Sequence, residues 1–490
     1  MTLAVRVARG VVWMAGGELA RQATQFAVVV ILARLVAPVD FGLLAMATFM
    51  TGLLETFAAF GATEALVQKA GAGSDDWSSV YWLGLLLSLT VALIAMSLGP
   101  LAANFYGDHR VVPILGVIAW AGFLRAFGAT QSAWLAKHMH FRIIAQAEWT
   151  GVVVGGAVAL AMAWTDWGVW SLVANSLVGL GVTSVLLHVA CPWRPGLVVR
   201  GSSLRATVRF GLGIQGFGIV NYFARRLDDA LIGRYVGPTG LGYYSRAYQL
   251  MLYPVQNVAG VVGRVIFPAL AEIGDDLARF RAAYLRTVSA IAAVTFPAML
   301  GLLVTAPEVI SVLYGRHWMP AVPILQVLCV IGMLHSVATT VGWIYLARER
   351  TDLMLWWGTG ASVVICSGFL VGVQWGVMGV TVAYAISSAL LLLPGLAIAY
   401  RLIQLPLSDL LRSVRGTLVG ALVMSGVVAL ARDALIKGEV GQTLTLAGSV
   451  ATGIVTYLTW LWLTDSRAIE EVRLAWAQFA QVRREEVSEG

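Results

Sequence analysis

Four polar residues in the first long apolar stretch, Glu18, Arg21, Gln22 and Gln25, are spaced i, i+3, i+4 and i+7. On a helix this spacing puts all four on one stripe and leaves the remaining surface apolar. A later stretch repeats the pattern with Gln215, Asn221, Tyr222 and Arg225, continuing to Arg226, Asp228 and Asp229. The next carries Arg246, Gln249, Tyr253, Gln256 and Asn257, again on one face. Glu55, Arg125, Glu148 and His335 are isolated polar groups within other apolar stretches. Charge at membrane depth is rare and normally faces a cavity or a partner. Two such stripes facing each other would enclose a hydrated, partly cationic chamber. Arginine's planar fork donates several bonds to phosphate oxygens, so the chamber suits a phosphate or diphosphate attached to sugars. Ion pairing is the competing role: Glu18 reaches Arg21 or Gln22 on its own helix, and Arg225 reaches Asp228 or Asp229 within a turn. Arg225, Arg226, Asp228, Asp229 and Arg234 also suit a membrane interface, where a long side chain keeps its charge in water. Desolvated Glu18, Glu55 and Glu148 would exchange protons, so H+ or Na+ coupling is the one cofactor-like role expected. There is no His/Cys metal cluster, no nucleophile motif and no phosphate-binding Gly-rich loop, so no metal site and no catalytic residue is assigned.

These residues need long helices to hold them. Of 490 residues, 59% are apolar and 12% charged, and the mean hydropathy is +0.80, which excludes a water-soluble globular chain. Apolar stretches of about 20 residues, long enough to cross the hydrocarbon, recur from end to end. Roughly 14 are counted, centred near Val28, Leu53, Leu89, Val117, Val154, Val178, Ile219, Pro254, Val294, Val330, Val364, Ile386, Val423 and Ile454. The expected fold class is an all-α polytopic membrane protein. The first stretch is full length and lacks a small-residue cleavage site, so it is expected to remain as the first spanning helix. Alternate loops, counted from the N-terminus, hold 22 Lys and Arg against about 8 in the opposite set. The positive-inside bias therefore places both termini in the cytoplasm. That bias also accounts for the net charge of +7, and no nucleic-acid partner is expected. Cys191, Cys329 and Cys366 lack metal or disulfide spacing and read as small packing residues.

The sequence also repeats at an interval of about 200 residues. Arg34, Val36, Pro38 and Gly42 recur as Arg234, Val236, Pro238 and Gly242. Tyr106, Gly107 and His109 return as Tyr314, Gly315 and His317, and Trp167-Gly168-Val169 returns as Trp375-Gly376-Val377. Three echoes in one order mean two copies of one bundle, an architecture found mainly in transporters. With an even number of helices per copy, the copies run parallel. The expected division is a first lobe at 1–192, a second at 193–404, two extra helices at 405–464 and a cytoplasmic tail at 465–490. At the repeat offset Arg21 aligns with Asn221 and Gln25 with Arg225, so the polar stripes occupy equivalent faces. Val28 and Val29, however, align with Asp228 and Asp229. Gly211, Gly213, Gly216 and Gly218 make the seventh stretch a candidate for bending during transport, with close helix packing as the competing role.

Asp228 through Gly237, followed by Leu241-Gly242-Tyr243-Tyr244-Ser245-Arg246-Ala247-Tyr248, resembles the signature of bacterial polysaccharide exporters. So do Leu35 through Met46, and Val255-Gln256-Asn257 together with Arg264 through Leu270. Together these are similar to Wzx-type flippases of the multidrug/oligosaccharidyl-lipid/polysaccharide superfamily, in the colanic-acid and teichuronic-acid exporter branch. The resemblance covers nearly the whole chain. It implies two six-helix lobes, a central cationic cavity, alternating access, and movement of an undecaprenyl-diphosphate-linked oligosaccharide across the bacterial inner membrane. Membrane lipids and the polymerase and other polysaccharide-assembly proteins are the implied partners. The substrate-contact role falls on Arg21, Gln25, Arg125, Asn221, Arg225, Arg226, Arg246, Gln249, Tyr253 and Gln256, with Glu18, Glu55, Glu148, Asp228 and Asp229 for coupling or ion pairing. In related lipid flippases the two extra helices form a groove for the lipid tail. A drug–cation antiporter of the same superfamily is the first alternative; it would need a carboxylate-lined site, whereas more arginine than acid is expected here. A membrane glycosyltransferase or ligase is the second alternative, and the short loops count against it. A non-catalytic assembly subunit would not need polar stripes in both copies.

Overall fold

Every regular element among the described residues is helical, as expected where backbone groups must be satisfied within their own segment. The computed structural model describes residues 3–58, 66, 73–198, 221–273 and 276–464. Gln215, the glycines at 211, 213, 216 and 218, the seventh stretch's centre at Ile219 and the tail at 465–490 lie outside them. Ten helical segments among the described residues are long and apolar enough to cross a membrane. The thirteen remaining centres all fall within helices.

The first half contributes α1 (Leu3–Leu35), α2 (Pro38–Ala58), α3 (Ser74–Ser97), α4 (Gly99–Tyr106), α5 (Val111–Ile118), α6 (Trp120–Lys137), α7 (Phe141–Trp164) and α8 (Val169–Ala190). Next come α9 (residues 221–235) and α10 (Pro238–Ile273). Then follow α11 (Leu277–Val304), α12 (Ala306–Leu313), α13 (Ala321–Ala338), α14 (Val341–Ala347), α15 (Thr351–Gly372) and α16 (Gly376–Leu402). Two further helices, α17 (Leu407–Lys437) and α18 (Gln442–Thr464), complete the described chain. The chain forms two compact units. The first holds Met1–Ser245 with Leu313–His317 and Val373–Val377; the second holds Arg246–Val312, Trp318–Gly372 and Met378–Gly490.

The repeated residues recur because the backbone needs them. Gly107 and Gly315 have φ of 69° and 100°, and Gly168 and Gly376 have 50° and 68°, a region that suits only glycine without strain. Within the first unit, echoed residues also meet one another. A Cβ on Gly42 would overlap the Pro238 carbonyl, and a Cβ on Gly242 would overlap the Pro38 carbonyl. Arg34 donates from Nε to the Leu313 carbonyl at 2.9 Å, while Arg234 donates to the carbonyls of Asn104, at 2.9 Å, and Phe105. Each arginine thus satisfies carbonyls at the end of a short helix from the other repeat, groups that have no partner within their own helix. The echo is a record of this two-fold reciprocal contact.

Candidate functional site

The first unit encloses a cavity of about 860 Å³ lined from five directions: α1, α2, the α5–α6 segment, α7 and α8. Small residues let these helices approach. On α7, a Cβ at Gly155 would press on the Asn175 carbonyl and on Gly179 of α8, so the two backbones lie in direct contact. The side chains beyond that contact face the cavity. From the sequence-predicted set, Glu18, Arg21 and Gln25 of α1, Glu55 of α2, Arg125 of α6 and Glu148 of α7 all line this one space.

Their charges are largely paired. Arg21 donates from Nε to Glu18 Oε2 at 2.8 Å and from Nη2 to Glu18 Oε1 at 2.6 Å. Gln22 donates to the same Glu18 Oε1 at 2.6 Å, so both partners foreseen on that helix are engaged at once. Glu148 stands 3.9 Å from Arg21. Arg125 donates to Glu55 Oε2 at 2.9 Å, a pair that joins residues 70 apart in sequence. The lining therefore carries three carboxylates and two guanidinium groups. More arginine than acid is expected of a chamber lined by both stripes; this cavity, lined by residues of the first copy, has three carboxylates and two arginines.

Thr48, Thr51, Ser132, Asn175, Ser176 and Thr183 also line the cavity, and none was singled out from sequence. They are neutral, so a search for ionisable groups at membrane depth passes over them. Spacing holds the missing signal: Thr48, Thr51 and Glu55 are i, i+3 and i+7, and Asn175 and Thr183 are two turns apart. Several hydroxyls are spent on their own helices, as in Thr183 to the Gly179 carbonyl at 2.9 Å and Thr48 to the Ala45 carbonyl at 3.0 Å. Gln25, Ser132 and Asn175 make no side-chain hydrogen bond to any described residue.

The other predicted residues gather elsewhere. On α9, Arg225 donates to Asn221 Oδ1 at 3.2 Å and Arg226 to Asp229 Oδ2 at 3.0 Å. The local pairing expected for Arg225 is thus made by Arg226 instead. Asp228 is buried and accepts from the Tyr244 hydroxyl at 2.6 Å and from the Asp229 amide at 3.0 Å. Tyr244 is also buried. Arg246, Gln249, Tyr253 and Gln256 lie on α10 in the second unit, with Gln249, Tyr253 and Gln256 exposed. His335 of α13 meets the Tyr384 hydroxyl through Nε2 at 3.2 Å. Among the described residues, no group of three or more His, Cys, Asp or Glu side chains is placed to hold a metal ion.

The second unit has a pocket of opposite character, about 480 Å³, between α11, α17 and α18. Val294, Pro297, Leu302, Met424, Val428 and Ile454 are among its walls. Pro297 sits inside α11 and has no N–H to give the carbonyl four residues earlier. That carbonyl, of Ala293, accepts from the Tyr457 hydroxyl of α18 at 2.9 Å. The proline thereby fixes one of the two last helices to the rest of the unit.

A bundle of membrane-crossing helices holding a polar cavity in one half and an apolar pocket in the other defines a membrane transporter. Its fold is that of the lipid II flippase MurJ in an inward closed conformation, with a TM-score of 0.74 at 16% identity, covering 94% of this chain and 100% of that one. The chain belongs to the polysaccharide biosynthesis protein family, which it matches over residues 31–323. Among its relatives, the lipopolysaccharide biosynthesis protein WzxC of Escherichia coli K12 is 26% identical over 72% of this chain and 73% of its own length. The teichuronic acid biosynthesis protein TuaB of Bacillus subtilis 168 is 28% identical over 81% of this chain and 83% of its own.

Proposed function

We propose that this protein is a flippase that moves an undecaprenyl-diphosphate-linked oligosaccharide from the cytoplasmic to the periplasmic leaflet of the bacterial inner membrane, supplying exopolysaccharide or capsule assembly. The observation that carries this reading is the polar cavity of about 860 Å³ inside a bundle of apolar helices, in a chain of the polysaccharide biosynthesis family. A cavity with ionisable walls at membrane depth has no purpose in packing and suits a polar headgroup crossing the bilayer. The apolar pocket against α17 and α18 suits the other end of such a cargo, its hydrocarbon chain. Both termini are assigned to the cytoplasm on the loop charges, and transport is assigned to alternating access. Arg225, exposed and bonded to Asn221, is assigned to the diphosphate, as is Arg246. H+ or Na+ coupling is assigned to the carboxylates as a group. The polymerase and other assembly proteins are the proposed protein partners.

The carboxylates of the first cavity favour one competing reading, a drug–cation antiporter. Deleting the gene separates the two. The flippase reading expects a complete diphosphate-linked repeat unit to accumulate in the cytoplasmic leaflet and the polymer to be lost. Normal polymer with altered drug susceptibility would reject it in favour of the antiporter.

A further inference from the structure

The two halves of a lipid-linked oligosaccharide make opposite demands on a binding wall. A diphosphate is an acceptor-only anion and needs donors and positive charge. A sugar hydroxyl both donates and accepts, and is held equally well by carboxylates, amides and other hydroxyls. The first-unit cavity meets the second demand and not the first. Both of its arginines are committed, Arg21 to Glu18 through two hydrogen bonds and Arg125 to Glu55 through one. Glu148 remains as an acceptor with no hydrogen bond to any described residue, standing 3.9 Å from Arg21. Its side chain is 44% exposed, so it is open to a ligand. Gln25, Ser132 and Asn175 add amide and hydroxyl groups that no described residue engages. With three carboxylates against two cations, a dianion entering this space meets like charge.

We infer that this cavity is the saccharide subsite of the transporter: it holds the sugar portion of the cargo through Glu148, Asn175, Gln25 and Ser132, and does not hold the diphosphate. The inference rests on the flippase reading above and divides the cargo between two places. Selection among glycans then belongs to the first unit. A carboxylate and an amide held in fixed positions reject a sugar lacking the matching hydroxyl, because a polar group is left unpaired. An amino sugar would bind more tightly than its neutral counterpart, because Glu148 supplies the acceptor.

Glu148→Gln is isosteric and Asn175→Ala removes only an unengaged amide, so both variants suit a binding test on the purified full-length protein in lipid nanodiscs. Two probes are used: the lipid-linked oligosaccharide extracted from cells that lack this protein, and undecaprenyl diphosphate carrying no sugar. Each variant is expected to lose roughly tenfold or more in affinity for the glycosylated probe, the scale of one hydrogen bond to a charged or buried group, with affinity for the bare diphosphate unchanged. Equal loss on both probes would assign the cavity to the diphosphate and overturn the inference. Unchanged binding of both would place the sugar elsewhere and overturn it too. Failure of the unaltered protein to bind either probe would reject the flippase reading itself.

Discussion

Two Arg–Glu pairs have the same length and opposite surroundings. In the first unit, Arg125 meets Glu55 at 2.9 Å with side chains 60% and 25% exposed. In the second unit, Arg432 of α17 meets Glu308 of α12 at 2.9 Å with side chains 28% and 8% exposed. Distance alone would rank them equal. Burial does not, because water screens the first pair and the second has given up most of its hydration. The first pair lines an open cavity. The second pins one of the two last helices to a short helix beside the apolar pocket, and it is architecture.

The largest effect is therefore expected where no cargo is bound. Arg432→Ala leaves Glu308 buried without its cation and should cost about 3–5 kcal/mol of stability, read as a fall in the denaturation midpoint of the purified protein. The double replacement Arg432→Met with Glu308→Leu should recover most of that loss. A single variant as stable as the parent would erase the distinction between the two pairs. Arg125→Ala should do the reverse: stability changes by about 1 kcal/mol or less, while export falls roughly tenfold, because Glu55 loses the guanidinium that fixes its position on the cavity wall. A loss of stability with undiminished export per molecule would make that pair structural as well.

The contrast was only partly visible in the amino-acid sequence. The helices could be read, and so could the echoed glycine turns, because apolar runs and glycine-centred turns are local signals. Glu18, Arg21 and Gln25 could be placed on one face for the same reason. The pairing of Glu55 with Arg125 and of Glu308 with Arg432 could not, since it depends on contacts across 70 and 124 residues. Which charges share the first-unit cavity depends on contacts of this kind. At Val28 and Asp228 the two repeats diverge at a position that is buried in both. Val28 fills its place by packing, against Gly156, whereas Asp228 needs Tyr244 and the Asp229 amide to be stable there. Nothing in either sequence stretch alone announces those partners.

A smaller effect should follow from altering the apolar side of the comparison. Ala298 lies on the wall of the pocket between α11, α17 and α18. Ala298→Phe would fill space that the proposed reading gives to a polyprenyl chain. Export should fall severalfold, by less than the tenfold expected for Arg125→Ala, since a long chain loses only part of its buried surface. Binding of a short-chain carrier with the same headgroup should be unaffected. Equal loss for both chain lengths would remove the pocket from the transport path.

The smallest effect belongs to an echoed turn in which the copies differ by charge. Asp108 accepts from the Arg110 amide at 2.9 Å and from its Nη2 at 2.7 Å, whereas the second copy has Arg316 and Trp318 at these places and no carboxylate. The Arg110 hydrogen bond holds the Asp108 carboxyl below its ordinary value of 3.8. A depressed folded-state value means the pair stabilises the fold at neutral pH and ceases to do so as pH falls below about 4. Because Arg110 is largely exposed, the contribution is at most about 1 kcal/mol and should shrink in high salt. Asp108→Asn should thus lower the denaturation midpoint slightly at pH 7, with the gap from the parent closing on acidification. Equal stability of Asp108→Asn and the parent at pH 7 would show that the turn is held by its backbone geometry, as in the second copy, where Gly315 and His317 recur without an acid.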